Sequence, residues 1–312
     1  MAAPPVSRQD PAGRLASARA ARRLRLEVGR RLDGLLHGEH LGITPGGGLE
    51  AAEARIYVPG DDVRRIDWTL LARTGVPHLR ERAPEREIET TLLIDLSASM
   101  SFGTVRQEKR ELAVAVSAGF LHIVEAAGDR AGAVVVGASV RRIPPARGRS
   151  AATALLHRVM SEPRVLGEGA TLVDGLHAVA NPPRRRGLVV VVTDLADEGW
   201  ARPLRSLALR HEVVVVEVVD PRELELPDVG LLRLVDPETG REVEVPTGRR
   251  SLRVEFATRA AQLRARNAAM VRRAGAGHLV VRTDRDWVTD LARFLATRRR
   301  TRTAGRTPAA RP

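Results

Sequence analysis

The chain of 312 residues contains no cysteine. Disulfides, thiolate metal sites and cysteine nucleophiles are therefore excluded. Lysine is almost missing as well: Lys109 stands alone against fifty arginines. No apolar run approaches the roughly 18 residues that a membrane-spanning helix needs. The longest candidates, 187–195 and 213–219, have the length of strands. The opening residues MAAPPVSRQDPAGR lack the apolar centre of a secretory signal, and a cytoplasmic location is the expectation. Aromatic residues make up only 3% and avoid the Arg-rich stretches, so no stacking platform for single-stranded nucleic acid is indicated.

The motifs of several enzyme classes are also missing. There is no G-x-S-x-G elbow, no G-x-x-x-x-G-K-[ST] loop and no H-E-x-x-H helix. Lys109 falls inside an expected helix, so no phosphate-loop lysine exists. The eight histidines are scattered without ligand spacing, and His122 and His157 fall on helices. A non-enzymatic role is the expectation.

What is present describes a globular protein, 43% hydrophobic and 29% charged. The net charge of +13 is concentrated at the ends. Residues 1–31 carry eight Arg against Asp10 and Glu27, residues 298–312 carry six Arg and no acid, and the 266 residues between them sum to +1. Such ends attract phosphate backbones non-specifically, and they are equally what an Arg-rich composition leaves on solvated termini.

Residues 1–13, rich in Pro, Ala and Gly, read as disordered. Leu15 to His37 reads as a helix, with Leu24, Val28, Leu32 and Leu35 or Leu36 on one face and Gly38 as its C-cap. Gly42 to Arg86 is punctuated by Pro45-Gly46-Gly47-Gly48, Pro59-Gly60-Asp61-Asp62 and Thr74-Gly75-Val76-Pro77, which indicates turns and short strands. Pro84 to Glu87 closes that segment.

From Ile88 strands and helices alternate. Strands are expected at 88–95, 131–138, 140–143, 187–194, 212–219 and 278–282, and helices at 105–127, 150–160, 171–180, 200–210, 252–274 and 286–299, with Ser150 and Asp284 as caps. Residues 231–235 and 242–245 flank Asp236-Pro237-Glu238-Thr239-Gly240, a hairpin. Residues 300–312 read as a basic tail. The organisation is thus 1–13, a helix and β-rich segment over 14–87, an α/β domain over 88–299, and the tail. The alternation implies a doubly wound, mostly parallel sheet, which binds ligands at the carboxyl ends of its strands.

Two such ends carry carboxylates. Asp95 follows Ile88–Ile94 and opens Asp95-Leu96-Ser97-Ala98-Ser99; Asp194 follows Leu188–Thr193. One carboxylate and two hydroxyls on alternate residues form a hard-oxygen cluster suited to Mg²⁺ or Mn²⁺, at roughly 2.1 Å per Mg²⁺ ligand. Thr171, after the loop Gly167-Glu168-Gly169-Ala170, offers a further hydroxyl at the same edge, although Thr153 also lies in a loop-to-helix region. Asp95, Ser97, Ser99, Thr171 and Asp194 are the candidate metal ligands. The same set allows a Mg²⁺-dependent phosphohydrolase as the alternative, but Ser97 stands where the D-x-D-x-T pattern of such enzymes has its general-acid Asp.

D-x-S-x-S, then T, then D, in this strand and helix order resembles the von Willebrand factor A-like domains and their metal-ion-dependent adhesion site. The resemblance covers residues 88–299 and implies protein binding through a Mg²⁺ ion whose shell a partner's Asp or Glu completes. A second motif, Arg55-Ile56-Tyr57-Val58-Pro59-Gly60-Asp61-Asp62-Val63-Arg64-Arg65-Ile66-Asp67-Trp68 followed by Ala72-Arg73, resembles bacterial domain-of-unknown-function family 58. There it precedes a von Willebrand A-like domain, as here. That resemblance implies a MoxR-type AAA+ ATPase as partner. Many members begin with two membrane helices, which this sequence does not show. Read from the residues alone, Arg55, Arg64 and Arg73 alternate with Asp61, Asp62 and Asp67 as an expected ion-pair network, and Tyr57 and Trp68 are expected to anchor the segment to the sheet.

Overall fold

The computed structural model describes residues 11–35, 53–81, 88–165, 167–181 and 186–304. The elements are α1 (Pro11–Leu35), β1 (Glu53–Ile56), α2 (Trp68–Thr74), β2 (His78–Glu81), β3 (Glu89–Asp95), α3 (Lys109–Ala126), β4 (Arg130–Val136), β5 (Val140–Arg147) and α4 (Arg149–Met160). They continue with α5 (Leu172–Ala180), β6 (Leu188–Thr193), α6 (Ala201–Ala208), β7 (Glu212–Val219), β8 (Leu231–Val235), β9 (Glu242–Pro246), α7 (Arg250–Arg273), β10 (Gly277–Arg282) and α8 (Trp287–Ala304).

Six strands form one sheet in the order β10-β7-β6-β3-β4-β5. Every neighbouring pair is parallel except β4 with β5. The fold is therefore α/β with a doubly wound, mostly parallel sheet. Because side chains alternate along a strand, each central strand feeds two cores. Leu92, Ile94, Val190, Val192, Val214 and Val216 belong to the core shared with α3, α4 and α8. Leu93, Val189, Val191, Val213 and Val215 belong to the core shared with α5, α6 and the end of α7. Burial on both faces is why these strands read as continuous Leu/Val runs.

The chain moves from β3 outward to β4 and β5, then returns to the other side of β3 as β6. The reversal makes the carboxyl ends of β3 and β6 the switch point of the sheet, where such folds leave a crevice.

Helix α1 adds a further layer. Ala21, Val28 and Leu32 join the first core against α3, α4 and α8, and Arg25 pairs with Glu125 at 2.8 Å. The expected disorder to residue 13 is corrected in part, since α1 already includes Pro11 to Gly13; residues 1–10 lie outside the described residues. So do the expected C-cap at Gly38, the turn at 45–48, the boundary at 84–87 and residues 305–312 of the tail. Residues 300–304 continue α8 rather than starting the tail.

Several boundaries differ for local reasons. Helix α3 begins at Lys109, not at 105, because Glu108 and Glu111 form a reciprocal capping box. Helix α4 is entered through Gly148 at φ 89°, without a side-chain cap from Ser150. Asp286, not Asp284, caps α8 by accepting from the Val288 N–H, while Asp284 is held by Arg282 at 2.8 Å.

The segment 53–81 contains the antiparallel pair β1 and β2 and the short helix α2. Asp61, Asp62 and Asp67 accept from the backbone N–H groups of Val58, Arg64, and Thr69 and Leu70, respectively, so they shape turns and a helix start. Trp68 is 66% exposed, which overturns its expected role as an anchor.

Leu32 is fully buried, so Leu32→Ala is expected to destabilise the protein by about 2–4 kcal/mol. Urea unfolding measures this; a change within the error of the fit would mean that α1 is not part of the cooperative core.

Candidate metal centre at the sheet edge

Strand β3 ends in Asp95, which is only 2% exposed. The buried carboxylate has defined partners: Oδ1 accepts the Ser97 N–H at 3.0 Å and Oδ2 accepts the Thr193 hydroxyl at 2.8 Å. Thr193 is the last residue of β6, so this hydrogen bond ties the two strand ends together. Ser97 turns the chain into a short 3₁₀ helix over Ala98–Ser101. That turn sets the Ser97 and Ser99 hydroxyls 3.2 Å apart.

Asp194 follows immediately on the neighbouring strand. Its Oδ1 accepts the Ala196 N–H at 3.1 Å, and Ser99 is among the groups that lower the pKa of its carboxyl. The next residue, Leu195, has φ 57° and is the one non-glycine residue with positive φ among the described residues. A branched side chain in that region is strained, and such strain persists where the surroundings fix it. Here the Leu195 N–H donates to Thr193 Oγ1 at 3.1 Å and Asn267 Nδ2 donates to its carbonyl at 3.3 Å. The turn that aims Asp194 is thereby locked.

Four of the five expected ligands thus come together: Asp95, Ser97, Ser99 and Asp194. Thr171 stands on the adjoining loop and is exposed. Its hydroxyl donates to Asp174 Oδ2 at 2.8 Å and accepts the Asp174 N–H at 3.2 Å, forming the N-terminal cap of α5. It is linked to the Asp194 loop through Leu172, whose N–H donates to Asp197. Thr153 lies within α4 and returns its hydroxyl to the Arg149 carbonyl at 2.8 Å, so it is not at this edge.

The edge also holds Lys109 and Glu223, which are not among the expected ligands. Lys109, at the first turn of α3, is 1% exposed. Its Nζ donates to Asp194 Oδ2 at 2.7 Å and to Glu223 Oε1, and it lies 5.9 Å from the centre of the Phe102 ring. Glu223 belongs to the capped turn after β7, where its other oxygen accepts the Asp220 N–H at 3.0 Å. Above the edge hangs the tip of the β8–β9 hairpin, whose Pro237 carbonyl accepts the Gly167 N–H at 3.3 Å. The signals for Lys109 and Glu223 were present as capping boxes, Glu108-x-x-Glu111 and Asp220-x-x-Glu223, which mark where each turn starts.

The electrostatics follow from burial. Burial and then the charge of Asp194 push the Asp95 carboxyl up to about 6 from its ordinary 3.8, against the hydrogen bonds from Ser97 and Thr193. Burial acts on Asp194 in the same direction, but the Lys109 charge and the hydrogen bonds from Lys109, Ala196 and Ser99 hold it below the usual range. For Lys109, burial favours loss of the proton, yet the charges of Asp194 and Glu223 outweigh it and its pKa is raised. At the rim, burial and the charges of Asp194 and Asp174 raise Asp197 against the Leu172 N–H. Burial, Asp197, Asp236 and Asp194 raise Glu238.

Two buried carboxylates that repel each other, flanked by hydroxyls, are a donor set for a hard divalent cation. Among the described residues no group of three or more His, Asp or Glu side chains is arranged to hold a metal. Any cation here would therefore rely on the serine oxygens as much as on the two carboxylates.

Asp95 is held in a state that disfavours its charge. Because its folded pKa is raised, the unfavourable contribution appears as pH climbs from about 4 to about 6 and is fully present at pH 7.5. Its upper bound is about 3 kcal/mol, reduced by about 1 kcal/mol for the acceptor lost on substitution. In chelator at pH 7.5, Asp95→Asn is expected to be more stable than the parent by about 1–2 kcal/mol, and the gain should fade as pH falls toward 4. Chemical denaturation at the two pH values tests this; a variant less stable than the parent at pH 7.5 would contradict it.

The family described as "Protein of unknown function DUF58" matches residues 53–266. "Uncharacterized protein Rv1480" of Mycobacterium tuberculosis and "Uncharacterized protein Mb1516" of Mycobacterium bovis are each 46% identical over 293 residues, covering 92% of this chain and 92% of the relative. Among solved structures, BatB from Bacteroides thetaiotaomicron aligns at 17% identity and a TM-score of 0.41, covering 68% of this chain and 99% of that one. The SpRpn10 VWA domain aligns at 13% identity and a TM-score of 0.37, covering 65% and 93%. With its match spanning well over half of its length and both mycobacterial relatives aligned across nearly all of theirs, the chain belongs to the DUF58 family.

Proposed function

We propose that this protein is a metal-dependent protein-binding adaptor whose contact point is the carboxyl edge of β3 and β6. The observation that carries the reading is the convergence of Asp95, Ser97, Ser99 and Asp194 at the switch point of the sheet. Asp95 and Asp194 would hold Mg²⁺ with the two serines, and Thr171 lies on the loop beside them. Bound there, Mg²⁺ would supply a coordination position for an Asp or Glu carboxylate of a partner. The chain's own part is to keep both carboxylates fixed, through Thr193 on Asp95 and through the locked turn at Leu195 on Asp194.

A binding role also suits the remainder of the edge. Ser97 occupies the place a phosphohydrolase of the D-x-D-x-T type would give to its acid, which weighs against that alternative. The partner class implied by the family resemblance is a MoxR-type AAA+ ATPase.

Isothermal titration with Mg²⁺ and with Mn²⁺ on the parent and on Asp95→Ala tests the metal. Measurable binding by the parent and a loss of about tenfold or more in the variant is expected; equal and negligible heats for both would remove the metal from the proposal. Affinity capture from a cell extract, run with Mg²⁺ and with chelator, tests the partner. Recovery of an AAA+ ATPase only with Mg²⁺ is expected, and identical recovery in both conditions would count against an ion-controlled grip.

A further inference from the structure

Fifty of the fifty-one basic residues other than histidine are arginine, and the one lysine has the most buried basic side chain among the described residues. Its place is the candidate metal centre itself. Lys109 Nζ lies 2.7 Å from Asp194 Oδ2, one of the two carboxylates proposed to hold Mg²⁺, and it also touches Glu223. An ammonium is compact and directs three donors to any side, whereas a guanidinium is a broad planar fork. The side chain that reaches Asp194 and Glu223 together here is the compact ammonium.

We propose that Lys109 is the protein's own cation for this centre, occupying Asp194 when metal is absent and giving way to the divalent ion when it binds. This inference rests on the metal-binding reading above and concerns how that site is controlled. Asp194 cannot give the same oxygen fully to an ammonium and to Mg²⁺, since a cation at hydrogen-bond distance repels a second cation bound to the same group. Glu223 supplies the alternative seat. Its side chain is 36% exposed, against 6% for Asp194, and it remains as a counter-charge for Lys109 once Asp194 is engaged. The exchange therefore moves an ammonium between two existing partners and leaves no buried cation unpaired, which would be the expensive alternative. Lys109 is a positioning residue in this account: it keeps Asp194 ionised and oriented without metal, and it sets the affinity that an entering ion must overcome.

The exchange predicts that removing the ammonium tightens metal binding, the opposite of what loss of a purely structural group would do. Mn²⁺ binding to the full chain, followed by the electron paramagnetic resonance of the free ion, should be about tenfold tighter or more in Lys109→Met than in the parent. Unchanged or weaker binding in a folded Lys109→Met, as judged by circular dichroism, overturns the inference. Where the variant does not fold, the parent decides. With isotope-labelled lysine it gives a single side-chain signal, and Mg²⁺ should shift that signal; a signal unmoved up to the highest Mg²⁺ concentration overturns the exchange. The two readings separate cleanly. Binding by Lys109→Met but not by the parent removes metal dependence from the parent's function and overturns the exchange, because Lys109 then does not give way to the ion. Equal binding by both keeps the metal and discards the exchange, and binding by neither discards both.

Discussion

The contact between Lys109 and Asp194 is the interaction on which the architecture of the sheet edge depends. Burying an ammonium and a carboxylate costs several kcal/mol per ion in lost hydration, which only good geometry and additional hydrogen bonds offset. That requirement fixes three elements at once. Helix α3 must start at Lys109, which Glu108 and Glu111 enforce by capping. Strand β6 must end so that Asp194 turns inward, which the left-handed Leu195 enforces. The turn after β7 must bring Glu223 within reach, which its own capping box with Asp220 enforces. Asp220 in turn accepts the Thr104 hydroxyl at 2.6 Å and the Thr283 hydroxyl at 2.7 Å, so the end of β10 is tied into the same arrangement.

Most of the scaffold was legible because it rests on periodicity. The Leu/Val runs of β6 and β7 are of strand length, β-branched and flanked by turns, which is what separates a doubly covered strand from a buried helix. The carboxylates Asp95 and Asp194 could be placed from the ends of the expected strands 88–95 and 187–194 alone. Details set by a single cap or a single tertiary contact were harder to see. A start for α3 at 105 looked equally good by pattern, and that shift hid Lys109 inside a helix when it stands at the helix entrance. The role of Thr193 depends on the parallel register of β3 and β6, which no local window contains. Trp68 fails for a related reason: an aromatic in a polar segment suggests an anchor, but exposure is a property of the assembled surface.

The basic ends also change meaning once packed. Arg25 is drawn into a pair with Glu125, and Arg31 with Asp286 at 2.6 Å. Near the other end, Arg298 pairs with Glu212 at 2.6 Å and lies over the Phe294 ring. Part of the excess charge thus serves to hold α1 and α8 against the α/β body, so net charge alone is a poor guide to a nucleic-acid surface here.

Against this basic background the rim of the candidate centre has the opposite sign. Asp174 and Asp197 flank the loops on either side of Thr171, and Glu238, whose carboxyl is raised by burial and by Asp197, Asp236, Asp194 and Glu168, overhangs them from the hairpin. An acidic partner approaching this rim meets repulsion, because like charges brought together without a counterion are disfavoured in proportion to their burial. Lys109 does not relieve it, since its single charge is already shared between Asp194 and Glu223. On the proposed function, a divalent ion beside the two serines would change that balance locally. On that proposal, the acidic rim holds an acidic partner away from the bare edge, and the ammonium, already paired with Asp194 and Glu223, offers it no free charge. Recognition then depends on the ion rather than on a general attraction between a basic protein and an acidic one.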